Sequence, residues 1–138
     1  MLIERPRILV INPNSNEAVT EGMAQELRVF NFPDGPEIVC VSLTQGPSGI
    51  ESQADVESVT LPLRNMVSER QDMDAFVIAC YSDPGLQVCR EATAKPVFGI
   101  QECGVLAAMA QGDRFGVIAL QERSIRRHLR YLRQMGVM

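Results

Sequence analysis

The chain has 138 residues, of which 46% are hydrophobic and 22% charged. That is enough apolar material for one ordinary core and too much for a disordered tail. A net charge of −4, with 5% aromatic residues and no Trp, argues against nucleic acid as the main partner and leaves little for bases to stack on.

The longest apolar runs, Ile8 to Ile11 and Ala75 to Cys80, are far too short to cross a bilayer. No basic segment followed by an apolar stretch opens the sequence. The expected setting is therefore cytoplasmic, with no membrane partner. The four cysteines, Cys40, Cys80, Cys89 and Cys103, show no CxxC spacing, so no metal site is expected and the thiols read as free.

Taken in order, Arg7 to Ile11 reads as a short apolar strand and Asn16 to Val29 as a helix. Asn14 is placed to cap that helix, with Glu17 as its reciprocal partner. Phe32 to Pro36 has turn chemistry. Glu37 to Leu43 is a second strand, apolar at most positions and expected to be buried on both faces. After the loop Gly46 to Gly49, the segment Glu51 to Glu69 reads as a helix kinked at Pro62. Ala75 to Ala79 is a third strand. Asp83 followed by Pro84 then has the form of a helix start, a side-chain cap with proline at the first helical position.

Pro96 to Ile100 reads as a fourth strand, Gln101 to Gln111 as a helix, Arg114 to Leu120 as a fifth strand, and Ser124 to Met135 as a last helix with Gly136 as its terminator. Strands alternating with helices at this spacing predict an α/β fold, a parallel sheet with helices on both faces. Either that sheet ends at five strands or the sequence stops inside a larger fold.

In such a sheet, ligands bind beyond the carboxyl ends of the strands. Three loops fall on that edge: Asn12 to Ser15, Gly46 to Ser52 and Cys80 to Gly85. None is a Walker A or dinucleotide motif, and no arginine follows Cys80 closely as in a tyrosine-phosphatase loop. Lys95, the only lysine, has no phosphate cradle that would make it a pyridoxal-phosphate lysine. His128, the only histidine, stands among Arg123, Arg126, Arg127, Arg130 and Arg133. The expectation there is a solvated helix face or a subunit contact.

Cys80 ends a strand and shortly precedes a helix N-terminus, whose backbone N–H groups and dipole favour a thiolate and an anionic substrate group. A thiolate beside such a nest can take a proton from carbon next to a carbonyl. On spacing alone, a small apolar residue at a strand end is an equally good reading of Cys80. Cys40 and Cys89 read as core, whereas Cys103 opens a helix near the same edge.

Several segments together carry a family resemblance. They are Ile8 to Ser15, Gly46 to Ser48 with Ile50 to Ser52, Cys80 with Asp83 to Leu86, Pro96 to Ile100 with Glu102, and Arg114 to Ile118. Over essentially its whole length the chain resembles the N-terminal part of hydantoin and allantoin racemases, within the aspartate/glutamate racemase superfamily.

The resemblance implies cofactor-free racemisation of a hydantoin, allantoin or related amino-acid derivative. Two cysteines on facing α/β domains take and return a proton at the carbon alpha to a carbonyl. A homo-oligomer is expected separately, because a truncated two-domain fold exposes apolar surface that its other half would have covered. Cys80 matches the first of those cysteines, and Asn14, Ser48, Tyr81 and Ser82 match or adjoin substrate-contacting positions. Tyr81-Ser82 stand where hydantoin racemases commonly have Phe-Gly, which leaves the substrate open.

Family members are nearly twice this length, and their second cysteine falls beyond this sequence. Cys103 aligns with a position that is usually small and apolar, so it is no simple replacement. The expectation is a truncated fold, with residues 1–94 as the first domain and 95–138 as the start of a second. Little or no racemisation is expected from this chain alone. Two alternatives accompany this reading. One is a maleate isomerase or arylmalonate decarboxylase type of enzyme, the other a non-catalytic ligand-binding or interaction module on the same fold.

Overall fold

A computed structural model describes residues 4–138. Residues 1–3, with which the expected first domain opens, lie outside the described residues.

Four parallel strands form one sheet: β1 (Arg7–Asn12), β2 (Glu37–Ser42), β3 (Ala75–Ile78) and β4 (Val97–Gly99), in the order β2-β1-β3-β4. β1 lies at the centre, with Leu9 opposite Val39 on one side and Phe76 on the other. The helices are α1 (Glu17–Glu26), α2 (Gln53–Ser58), α3 (Thr60–Glu69), α4 (Leu86–Glu91), α5 (Ile100–Gln111) and α6 (Glu122–Gln134).

Successive side chains of a strand face opposite ways, and both faces of β1 and β3 are apolar. Leu9, Ile11, Phe76 and Ile78 point to one face and are fully buried with Leu63 and Val67 of α3 and Leu86 and Cys89 of α4. Burying a side chain of this size contributes roughly 1.5–3 kcal/mol, so this face carries the core. On the other face Ile8, Val10 and Val77 line a shallow apolar groove with Met23 of α1 and Ile100 of α5. Helices thus lie on both faces, as expected.

Five local expectations are corrected. β2 is an edge strand and mostly half-buried, because only β1 pairs with it. Asn16, rather than Asn14, caps α1 by accepting from Ala18 N at 3.1 Å, and a 3-10 turn over Leu27–Phe30 replaces the end of the expected helix.

The kink expected at Pro62 falls earlier, at Val59, the single residue that divides the expected helix into α2 and α3. Proline has no N–H for the carbonyl four residues back, here Ser58, and α2 ends at that residue. The start of α4 is Leu86 after Gly85 in the left-handed region (φ 66°), and Asp83 does not cap it.

The fifth strand is absent. Residues 112–121 have no regular structure although their alternation is real. Phe115, Val117 and Ala119 turn toward Leu129 and Leu132 of α6, while Ile118 and Leu120 are 93% and 97% exposed. The segment has the period of a strand without a ladder partner among the described strands.

Candidate active site

The carboxyl edge of the sheet is built from polar residues that hold one another. At the end of β1, buried Asn12 donates to Asn14 Oδ1 (2.8 Å) and Thr20 Oγ1 (3.1 Å), and Thr20 bonds Ser42 at the end of β2 (2.5 Å). Gly46 follows because a Cβ there would lie 2.4 Å from the Pro13 carbonyl oxygen. The two loops are joined by Ser15 N donating to Pro47 O at 2.9 Å.

At the end of β3 the chain turns sharply, with Ser82 N and Asp83 N both donating to Cys80 O at 2.8 and 3.0 Å. Asp83 adopts φ 42°, a left-handed conformation that costs a non-glycine residue energy. The compensation is its carboxylate, 5% exposed, which accepts from Gln101 N (2.9 Å), Glu102 N (2.8 Å) and the Tyr131 hydroxyl (2.5 Å). It therefore caps α5 and also anchors α6. Gly99 makes the approach possible, since a Cβ there would lie 2.3 Å from Asp83 Cγ.

So anchored, α6 lays two side chains over the Cys80 turn. Arg127 donates from Nε to Ser82 Oγ and from Nη1 to Glu51 O, both at 3.2 Å. Arg123 pairs with the Glu51 carboxylate. The His128 ring meets Tyr81 edge-on at 5.3 Å, and its Nδ1 lies 3.3 Å from Gln101 Nε2. Between these groups is a cleft of about 390 Å³ lined by Glu51, Cys80, Tyr81, Ser82, Arg127 and His128 among others.

Burial pushes the Cys80 thiol up to about 11, and the Asp83 carboxylate adds to this, while Arg127 and hydrogen bonds from Ser82 pull the other way. At neutral pH the group is a thiol, so the thiolate expected from a nearby helix N-terminus is not the resting form. The reason is burial first and the Asp83 carboxylate second, while α4 begins only at Leu86 and has six residues. Burial and then Arg127 lower His128 below its ordinary value, leaving it neutral at pH 7.

Of the five residues singled out in the sequence, Cys80, Tyr81 and Ser82 share the cleft. Asn14 and Ser48 stand on neighbouring loops at the same edge, outside its lining. Asn14 is half-buried and its Oδ1 is taken by Asn12 and by Asn16 N, and Ser48 is exposed. Cys89 is buried, as read from the sequence, whereas Cys40, expected in the core, is half-buried because it stands on the edge strand β2, and Cys103 is exposed on α5. The arginine-rich helix is the larger surprise. Arg127 and His128 turn into the cleft rather than to solvent, and no local pattern announces this because they approach Ser82 and Tyr81 from more than 40 residues away.

Among the described residues no group of three or more His, Cys, Asp or Glu side chains is arranged to hold a metal ion. No helix there is long and apolar enough to cross a membrane.

Residues 8–138 match the Asp/Glu/hydantoin racemase family model. The chain belongs to this family. It is 41% identical over 120 residues to a hydantoin racemase of Pseudomonas sp. (strain NS671), covering 85% of this chain and 47% of that protein. It is 37% identical over 134 residues to the hydantoin racemase of Paenarthrobacter aurescens, covering 94% and 56%. The structure of allantoin racemase from Klebsiella pneumoniae superposes with a TM-score of 0.88 at 32% identity, covering 96% of this chain and 54% of that one. The chain thus spans about half the length of the relatives it matches. The family resemblance and the α/β class read from the sequence are both borne out.

Proposed function

We propose that this chain is the Cys80-bearing half of a cofactor-independent racemase acting on a hydantoin, allantoin or related amino-acid derivative. The observation that carries the reading is the placement of Cys80 within a family match over residues 8–138. It stands at the carboxyl edge of the sheet, in a cleft with Tyr81, Ser82, Arg127 and His128. As a thiolate, Cys80 takes the proton from the chiral carbon of the substrate. The electron pair of the C–H bond moves toward the adjacent carbonyl, the thiol so formed exchanges its proton with solvent, and the enolate is reprotonated by that thiol.

A proton returned by the same sulfur arrives on the face it left. Inversion needs a second acid on the opposite face, so exchange with retained configuration is the activity expected of these residues by themselves. On this reading residues up to 94 form most of the first racemase domain, and 95–138 lead into a second. Tyr81 and Ser82 contact the substrate ring, with Asn14 and Ser48 on the loops that border it. The four free thiols suit a reducing cytoplasmic setting. Exposed apolar side chains such as Phe30, Leu106, Ile118 and Leu120 suit a homo-oligomer.

The test is to offer hydantoins, allantoin, maleate and arylmalonates to the chain and to Cys80→Ser, following loss of substrate and of the proton at the chiral carbon. Cys80-dependent proton exchange on a hydantoin or allantoin is expected. Turnover confined to maleate or arylmalonate would assign a different reaction to the same cleft, and binding without exchange a non-catalytic role.

A further inference from the structure

We infer that His128 is a further catalytic residue of the Cys80 cleft: Gln101 holds its ring by Nδ1, and the ring donates from Nε2 to the carbonyl oxygen of the substrate. The inference rests on the reading of Cys80 as the proton carrier, and it supplies a partner for the charge which that proton transfer creates.

Gln101 is the odd member of the buried polar set. It is 1% exposed, stands in the first turn of α5, and its Oε1 has no partner among the described residues. A buried amide left half-bonded costs stability that an apolar side chain of similar size would not. The side-chain bond it does make runs from Nε2 to His128 Nδ1, at 3.3 Å. An amide nitrogen has only protons to give, so Nδ1 accepts. A charged ring would set N–H against N–H at this contact, so the bond requires the neutral ring with its proton on Nε2. Burial and the Arg127 charge favour the same neutral form.

Gln101 is the only hydrogen-bond partner of the ring among the described residues, which leaves Nε2–H for a ligand. The ring lies on the wall of the cleft that holds Cys80 and packs edge-on against Tyr81 at 5.3 Å. On either side of it α6 is fixed, by Arg127 to Ser82 at 3.2 Å and by Tyr131 to Asp83 at 2.5 Å. A donor held this way is in place before the substrate arrives. Arg127 also lines the cleft, but it spends Nε and Nη1 on Ser82 and Glu51 O.

When the Cys80 thiolate takes the proton from carbon, the C–H electron pair moves into the adjacent carbonyl and its oxygen gains negative charge. A hydrogen bond already aimed at that oxygen is stronger in the transition state than in the ground state, and so speeds the chemical step. The imidazole keeps its proton throughout, and no bond to it breaks. Ligands with a carbonyl beside the acidic carbon, as in a hydantoin ring, fit this pair of groups.

The experiment begins with the ring itself. His128 is the only histidine, so a proton–nitrogen correlation spectrum of the nitrogen-labelled chain at mildly alkaline pH reads it without assignment. The Nε2–H form is expected, and its proton should move downfield as a 5-substituted hydantoin is added. The Nδ1–H form, or an Nε2 proton that does not move while the hydantoin binds, would overturn the inference.

Activity gives the second arm. His128→Phe keeps a ring against Tyr81 and loses the donor, and should lower kcat for Cys80-dependent proton exchange about a hundredfold with KM changed by less than about threefold. His128→Gln returns an N–H to about the same place and should recover about tenfold of that loss. Equal losses in the two variants would make the ring structural, and exchange by His128→Phe at the parent rate would make it a bystander. Either result overturns the inference and leaves the racemase reading standing. Absence of Cys80-dependent exchange in the parent chain is a separate failure, of that reading itself, and shows before any His128 variant is made.

Discussion

The two ends of the sheet are both crowded with polar side chains, and they do opposite things with them. At the amino end Arg7 bonds Glu37 (3.0 Å) and Asp72 (2.8 Å), Arg70 bonds Asp72 (2.9 Å), and the Lys95 ammonium donates to the carbonyls of Gln71 and Met73. These groups are a third to a half exposed, where ion pairs contribute little and salt screens them. At the carboxyl end Asn12, Ser42, Ser82, Asp83 and Gln101 are all buried. There a missing partner leaves an unsatisfied group with no water to replace it. A cluster of charges alone does not mark a site. Burial, with these side chains bonded to other elements and Gln101 Oε1 alone left without a partner among the described residues, is what distinguishes the Cys80 end.

The contrast is broken most severely at Gly99. Gly99→Ala puts a Cβ where the Asp83 carboxylate lies and should cost about 3 kcal/mol in urea unfolding, by overpacking and lost hydrogen bonds. Asp83→Asn keeps the volume but sets an amide against the N–H groups of Gln101 and Glu102, at about 2 kcal/mol. It also removes the charge that raises Cys80, so the cysteine should titrate below about 11 and alkylate faster. At the other end, Asp72→Asn should have the smallest effect of the three on the unfolding midpoint, and what effect it has should fade in high salt.

The two aspartates also differ in the sign of their pH dependence. Burial raises Asp83 above 3.8, so the folded protein holds a proton that the unfolded chain has released. Its contribution to stability falls as pH rises from 3.8 through the raised value. Asp72 is lowered from 3.8 to about 2, first by its hydrogen bond from Arg70, so its contribution is present above 3.8 and lost as pH falls through about 2. Urea midpoints measured across the acid range should show the first slope disappear in Asp83→Asn and the second in Asp72→Asn.

Much of this was legible in the residues. The apolar runs around Leu9, Val39 and Phe76 defined three strands, and their order with the helices defined the class. Cys80 fell at a strand end by simple counting. What escaped was whatever depends on a distant partner. Asp83-Pro84 has the form of a cap for the next helix, yet its carboxylate caps α5, because Asp83 and Gly85 both take positive φ and turn the side chain away from α4. Phe115, Val117 and Ala119 alternate as a strand does, but alternation shows which side is covered and not whether a ladder exists. Arg127 and His128 belong to a helix whose composition reads as a solvated face. Its anchorage through Tyr131 to Asp83 and through Arg123 to Glu51 turns them inward.

The most direct test of the central claim is deuterium exchange at the chiral carbon of a 5-substituted hydantoin and of allantoin. It is followed by NMR in deuterated water for the chain, for Cys80→Ser and for an enzyme-free control. Cys80 acting as the proton carrier predicts exchange above the control, with configuration retained, that disappears in Cys80→Ser. Exchange that survives Cys80→Ser, or that never rises above the control, would contradict it.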